Sequence, residues 1–320
     1  IAGSHTHHGP IVELADFAGR GRGRFDASIR YNQLLEERII ESILAANNRL
    51  VPAKIGQGTK SLVGFNRNRH SKIQPVPVDT QLGVLRFDDA STGKTLATLV
   101  NFTGHPTNIS SQIRKFSADY VGAMRNTVNE KTGGVTVFMQ GASGDISVDR
   151  GSHGDYLGYG AALGREVLKL QEGIETKEVS APSLRFKEDR FTFSSRTDFK
   201  NPLVQAAYSV AFFPELVENF VAEYQEGIRP RLTVAVLNKE IAFVGGSGEF
   251  FCNHAIRLRE RARMEPLFFF GYCNGYHQYF PTIEATAEGG YGADSQVAPA
   301  EIGAGEELMN QALKWLYQIR

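Results

Sequence analysis

The chain has 320 residues, 42% hydrophobic and 22% charged, a balance that fits one large catalytic domain or two smaller ones. Its 35 Lys and Arg cancel 35 Asp and Glu, so no net field selects nucleic acid or an anionic membrane as partner. No stretch approaches the ~18–20 uncharged apolar residues of a membrane-spanning helix, and two cysteines, Cys252 and Cys273, exclude a disulfide framework and a CxxC knuckle, leaving one disulfide open.

The chain begins at Ile1 rather than Met, which points to a removed leader or a missing amino-terminal part. The basic run Gly19-Arg20-Gly21-Arg22-Gly23-Arg24 reads as a solvated loop rather than a phosphate site. Leu35, Ile39, Ile43 and Ala46 line one face of a helix over 30–49, closed by Pro52. Strands follow at 82–88 and 96–102, joined by a turn through Asp89, Ser91, Thr92 and Gly93. Ser117 is placed to cap a helix running to about residue 130, with Gly133-Gly134 behind it. A buried-type strand at 135–140 and a helix at 157–171 come next, then strands near 183–187 and 191–194 and a helix around 203–220. A hairpin joins 231–238 to 240–244 through Asn238-Lys239, a helix opens near Glu249, 267–272 is an apolar strand, and 306–318 is the last helix. This alternation predicts a mixed α/β fold: a central mixed sheet with helices packed on it, in one catalytic domain over 1–320. The polar, glycine-bounded segments fall where strands end, which is where sites form in open α/β sheets.

Two of those segments carry histidine. In Ser4-His5-Thr6-His7-His8-Gly9-Pro10, an extended backbone puts His5 and His7 on one face, so both imidazoles can address one point. Neutral imidazole is the commonest protein ligand of zinc, and a catalytic zinc needs about three protein ligands and an open position. The same cluster also resembles a cloning scar with a tag remnant. In Asn101-Phe102-Thr103-Gly104-His105-Pro106-Thr107-Asn108, His105 follows an apolar strand and is held extended by Pro106; taken alone, such a histidine is more often structural. Glycosylation sequons at Asn101 and Asn108 flank it and are read as unused, since a glycan there would block a site.

Taken in order, five motifs carry a resemblance: His-Thr-His-x-Gly-Pro, Asn66-Arg67, Asn101-Phe-x-x-His105-Pro-Thr, Ser117-Ala-Asp-Tyr-x-Gly122, and Gln140-Gly-Ala-x-Gly-Asp-Ile-Ser147. Together they resemble the neutral/alkaline ceramidase family, and the likeness continues through Gly248-Glu249-Phe250 and Gly275-Tyr276-His277-Gln278-Tyr279 to about residue 295. The resemblance implies one Zn2+ ligated by His5, His105, Glu249 and Tyr279. It implies catalytic roles for His7 as proton acceptor, for Arg67 and Tyr291 as donors to the oxyanion, and for Ser147 in support. Asp145 is expected to organise its loop through backbone hydrogen bonds. The implied activity is hydrolysis of the amide bond of an N-acylated, ceramide-like substrate, small molecule or lipid, with a periplasmic or extracellular location.

The chain departs from that pattern in lacking the sequence before the first histidine motif and the carboxy-terminal immunoglobulin-like domain. His8 replaces a small Ser, and Tyr279-Phe-Pro-Thr replaces Tyr-Val-Thr-Thr. The alternatives are a metal-dependent amidohydrolase on another substrate class, which a βα-barrel would supply with eight units that the apparent hairpins do not suggest, and a non-catalytic lipid- or carbohydrate-binding relative. The clusters Phe268-Phe269-Phe270 and Phe212-Phe213 read as core rather than lipid groove.

Overall fold

The computed structural model describes residues 1–320. In chain order the elements are α1 (Asp26–Asn47), β1 (Ala53–Ser61), β2 (Asn66–Asn68), β3 (Gln81–Asp89), β4 (Thr95–Phe102), α2 (Asp119–Thr132), β5 (Val135–Gln140), β6 (Ile146–Val148), α3 (Tyr156–Glu172) and β7 (Leu184–Arg190). They continue with α4 (Pro202–Ala211), α5 (Pro214–Glu223), β8 (Arg231–Leu237), β9 (Ile241–Gly246), β10 (Glu249–Phe250), α6 (Cys252–Ala262), β11 (Leu267–Phe270), β12 (Tyr279–Phe280), α7 (Ile283–Glu288) and α8 (Ala304–Ile319). The mixed α/β class expected from the sequence is borne out. Its β-structure is shared between two four-stranded sheets, ordered β1-β3-β4-β5 and β11-β9-β8-β7, and two short pairs, β2-β6 and β10-β12.

Strand alternation sets the layers. On β3 and β4, Leu82, Val84, Val100 and Phe102 face α2 and α3, meeting Met124, Val128, Leu163 and Val167. The other face of β3 turns Leu85 toward Phe268 and Phe270 of β11. Phe269, pointing the opposite way, joins Val234 and Val236 of β8 against Leu258 of α6 and Leu308 and Leu316 of α8. The two sheets therefore stack face to face between outer helices, because successive side chains on a strand point to opposite faces. Gly83 is required at the seam: a Cβ there would stand 2.5 Å from the Phe268 ring. Asn101 also crosses the seam, its Nδ2 donating to the carbonyls of Met139 (2.9 Å) and Phe269 (3.0 Å). An asparagine amide used in this way is closed to glycosylation in the folded chain.

Several boundaries differ from expectation. The helix expected at 203–220 is two helices, interrupted at Phe212-Phe213 because Pro214 cannot continue the hydrogen-bond ladder of the first. The strand expected at 191–194 reduces to a bridge between Phe193 and Ile228. β1 was not expected, since Gly56 and Gly58 interrupt its alternation. The Asn238-Lys239 turn has φ of 55° and 61°, as a two-residue type I′ hairpin needs. The basic loop lies against α5, with Arg20 and Arg24 each 3.4 Å from Glu218 and Glu215. Cys252 and Cys273 are buried free thiols, so the disulfide left open does not form. No helix is long and apolar enough to cross a membrane.

The phenylalanine run is core, as expected. Phe268→Ala should cost about 3–5 kcal/mol, because the cavity opens between stacked sheets. Phe186→Ala, on the exposed face of β7, should stay within about 0.5 kcal/mol. Urea denaturation of the two variants checks the contrast.

Candidate metal centre

In the first sheet β4 runs parallel to β5, and in the second β9 runs parallel to β11. The segments leaving the carboxyl ends of these four strands supply most of one polar cluster. His105 lies three residues past β4; its N–H donates to the Ile146 carbonyl at 3.0 Å, and its backbone bridges Ser147. Its Nδ1 is 2.8 Å from the Ser143 carbonyl. A carbonyl only accepts, so Nδ1 carries the proton and the Nε2 lone pair faces the cluster. Glu249 opens β10, beside Tyr279 of β12 in parallel register, so the two side chains leave on the same face. It was expected on a strand-to-helix turn, and the helix starts only at Cys252. Gly144 lets the neighbouring loop come this close: a Cβ there would sit 2.6 Å from the Glu249 carbonyl.

The histidine segment is not the extended strand expected. His5 has φ of 64°, left-handed and uncommon for a bulky residue. Its imidazole still converges with that of His7, because the segment is tied on both sides: Gly3 N–H donates to the Tyr272 carbonyl (3.0 Å) and Thr6 Oγ1 to the Ser117 carbonyl (2.7 Å). His5 Nε2 lies 3.0 Å from His105 Nε2 and 3.2 Å from His7 Nε2. Glu249 Oε2 is 3.4 Å from His105 Nε2 and 3.6 Å from His5 Nε2. The ligand atoms of the three histidines all lie within 4.8 Å of one another.

Burial, reinforced by Arg69, lowers the His5 pKa to about 3. Burial and then His5 lower that of His7 to about 4, and His105 falls well below the ordinary value for the same leading cause. All three are therefore neutral imidazoles near pH 7, the form that ligates metal. Burial raises the Glu249 pKa, opposed by the Tyr276 hydroxyl and by Arg69.

Of the residues singled out in the sequence, His5, His7, His105 and Glu249 meet directly. Tyr279 joins through Arg69, whose Nη2 is 3.2 Å from both the Tyr279 hydroxyl and His105 Nε2. Tyr291 stands at the mouth, 68% exposed, its hydroxyl 3.4 Å from that of Tyr279. Arg67 is not brought into the cluster. It is exposed on β2, in register with Ser147, and makes no side-chain hydrogen bond to the cluster. β2 ends at Asn68, and the guanidinium that reaches the site is that of Arg69, anchored on the Gly144 carbonyl at 2.9 Å. Ser147 contributes backbone, bridging His105, and its hydroxyl makes no hydrogen bond. Asp145 is buried as a loop organiser, accepting from the Cys252 N–H at the start of α6 (2.6 Å) and from Asn68 Nδ2 (2.8 Å).

Sequence reasoning missed Arg69, Ser143, Tyr272 and Tyr276. The two tyrosine hydroxyls donate to opposite oxygens of Glu249, Tyr272 to Oε2 at 3.2 Å and Tyr276 to Oε1 at 2.6 Å. The available signal was the crowding of Tyr272, Tyr276 and Tyr279 just beyond an all-phenylalanine strand end.

No family model matches the chain. Over 160 residues, 46% of this chain and 24% of the relative, it is 28% identical to the neutral ceramidase of Pseudomonas aeruginosa. The crystal structure of that neutral ceramidase matches with a TM-score of 0.74 at 17% identity, over 98% of this chain and 60% of the other. A ceramidase complexed with C2 matches with the same TM-score and identity over 98% and 61%. The chain thus has the fold of these ceramidases and spans about three fifths of their solved length. The resemblance read from the five motifs is borne out.

Asp145 gives this region a pH dependence. Burial raises its pKa from 3.8 to about 6. The folded state therefore binds more protons than the unfolded chain between those values, so this contribution to stability is present below about pH 4 and lost as pH rises through about 6. Denaturant midpoints of the metal-free protein at pH 4 and pH 7 should show a larger loss across that window for the parent than for Asp145→Asn. Equal losses would remove Asp145 as the source.

Proposed function

We propose that the chain hydrolyses the amide bond of an N-acylated, ceramide-like substrate at a zinc ion held by His5, His105, Glu249 and Tyr279. The observation that carries this reading is the meeting of three imidazole nitrogens with one buried carboxylate. Neutral imidazoles whose Nε2 atoms stand 3.0–3.2 Å apart, with a buried carboxylate oxygen 3.4–3.6 Å from two of them, present several lone-pair donors to one point, the arrangement a cation requires. The donor set of nitrogen and oxygen ligands suits zinc, so the residues fit the metal. The fold and partial sequence likeness to neutral ceramidase support the substrate class; a periplasmic or extracellular location rests only on the resemblance read from the sequence motifs. We take 1–320 as one catalytic unit.

Bound zinc supplies Lewis acidity, lowering the pKa of water toward neutrality and polarising a carbonyl. The protein's own groups do the rest. His7, the most exposed of the three imidazoles, accepts the proton of the attacking water and returns it to the leaving amine. Arg69, in the place given to Arg67 from the sequence, and Tyr291 donate hydrogen bonds to the oxyanion that forms. Glu249 is held in orientation by two phenols. The Ser143 carbonyl fixes the tautomer of His105.

A second reading is favoured by one observation: His7 Nε2 is as near to His5 as a third ligand would be. His7→Ala separates the two. A proton acceptor leaves bound metal unchanged and takes about 10²–10⁴ from hydrolysis, whereas a ligand takes the metal with it. We expect the first result. Metal analysis with amide-release assays on ceramides and short N-acyl amines tests the whole reading: about one zinc per chain, and loss of metal and of at least ~10²-fold in hydrolysis for His105→Ala. Full activity in metal-free protein would falsify it, and a function that survives chelation would point to a binding relative instead.

A further inference from the structure

One side chain beside the metal centre touches two of the proposed ligands and the residue that orients a third. Tyr272 lies two residues past β11, buried. Its ring stacks on His5, with centroids 4.1 Å apart and planes 22° apart. Its hydroxyl is 3.2 Å from Glu249 Oε2 and 2.8 Å from Ser143 Oγ, and the carbonyl of that serine fixes His105. Its backbone works in the same direction. The Tyr272 N–H donates to the Gly248 carbonyl, next to Glu249, and the Tyr272 carbonyl accepts from Gly3, on the segment that carries His5, both at 3.0 Å. Tyr276 makes an informative contrast, since its hydroxyl reaches only Glu249.

Tyr272 and His5 both hold left-handed backbone, with φ of 54° and 64°. A bulky residue keeps that conformation only where its surroundings over-determine it. Here each ring is the other's packing surface, so the two unusual backbones support one another.

We propose that Tyr272 is a positioning residue of this centre: one side chain sets the plane of His5, the orientation of Glu249 and, through Ser143, the seat of His105, and so governs how tightly the site binds a divalent cation. The inference rests on the metal reading above and adds a residue that the sequence motifs did not mark. Groups that orient first ligands commonly change metal affinity by about 10–100-fold when removed. Tyrosine is suited to the place because its ring and its hydroxyl act on different ligands. Phenylalanine would keep the stack and lose the hydrogen bonds, and leucine would lose both.

The test uses the full chain and zinc alone, titrated against a competing chelator, with cobalt(II) absorption as a reporter of ligand geometry. Tyr272→Phe should weaken zinc by about 10-fold and Tyr272→Leu by about 100-fold, with displaced cobalt bands, while metal-free Tyr272→Phe still unfolds in one cooperative transition, its melting temperature lowered only as the loss of buried hydrogen bonds implies. Tyr276→Phe should weaken binding less than Tyr272→Leu does. Tyr272→Phe is close to isosteric, so it decides alone if the leucine variant does not fold. Parental affinity and parental cobalt bands in Tyr272→Phe overturn the proposal while leaving the metal centre standing. A parent that takes up neither cation overturns both.

Discussion

Glu249 puts a carboxylate where water does not reach, and the surrounding structure is arranged around that fact. A buried, unpaired charge costs several kcal/mol and normally neutralises itself; burial accordingly pushes this carboxyl's pKa upward. What keeps an anion accessible is the ring of donors and positive charge around it: two phenol hydroxyls on its two oxygens, and the Arg69 guanidinium acting across the cluster. The imidazoles cannot supply the charge, since their own burial holds them neutral. A carboxylate beside neutral imidazoles is a poor ion pair and a good metal site, and that asymmetry is the physical basis for the function proposed.

The architecture makes this meeting possible at low cost to the rest of the chain. Two parallel strand pairs, β4 with β5 and β9 with β11, send their carboxyl ends to one place from two different sheets. The sheets are held face to face by Phe268 lying over Gly83 and by the Asn101 amide crossing between them. His105 and Glu249 are thus brought within 3.4 Å across 144 positions of sequence by ordinary sheet packing, without a dedicated loop.

Left-handed backbone recurs around the histidine–carboxylate cluster. His5, Tyr272, Asn274 and Gln278 all have positive φ, and left-handed non-glycine residues cost on the order of 1–3 kcal/mol each. The cores on either side, one between α2, α3 and the first sheet and the other between the second sheet, α6 and α8, are regular. The protein therefore holds an irregular, closely determined site between two regular layers, which is what fixed ligand geometry requires.

The sequence by itself determined the periodic part of the molecule and the identity of its most polar strand ends. Alternation marked β3, β4, β5 and β8, and the Asn238-Lys239 turn marked the hairpin, because those signals are local and repeat along the chain. His5, His7 and His105 stood out because histidine is scarce and two of these segments carry a proline just beyond it. Tertiary structure alone decided which arginine reaches the cluster. Arg67 and Arg69 are alike in sequence, and only the end of β2 at Asn68 turns the second of them inward. It also decided that Tyr272 and Tyr276 hold Glu249, since a phenol's reach depends on where the neighbouring parallel strand, β11 beside β9, stops. Local pattern fixes which face a side chain takes, whereas the point on which several side chains close depends on packing between segments that are distant along the chain.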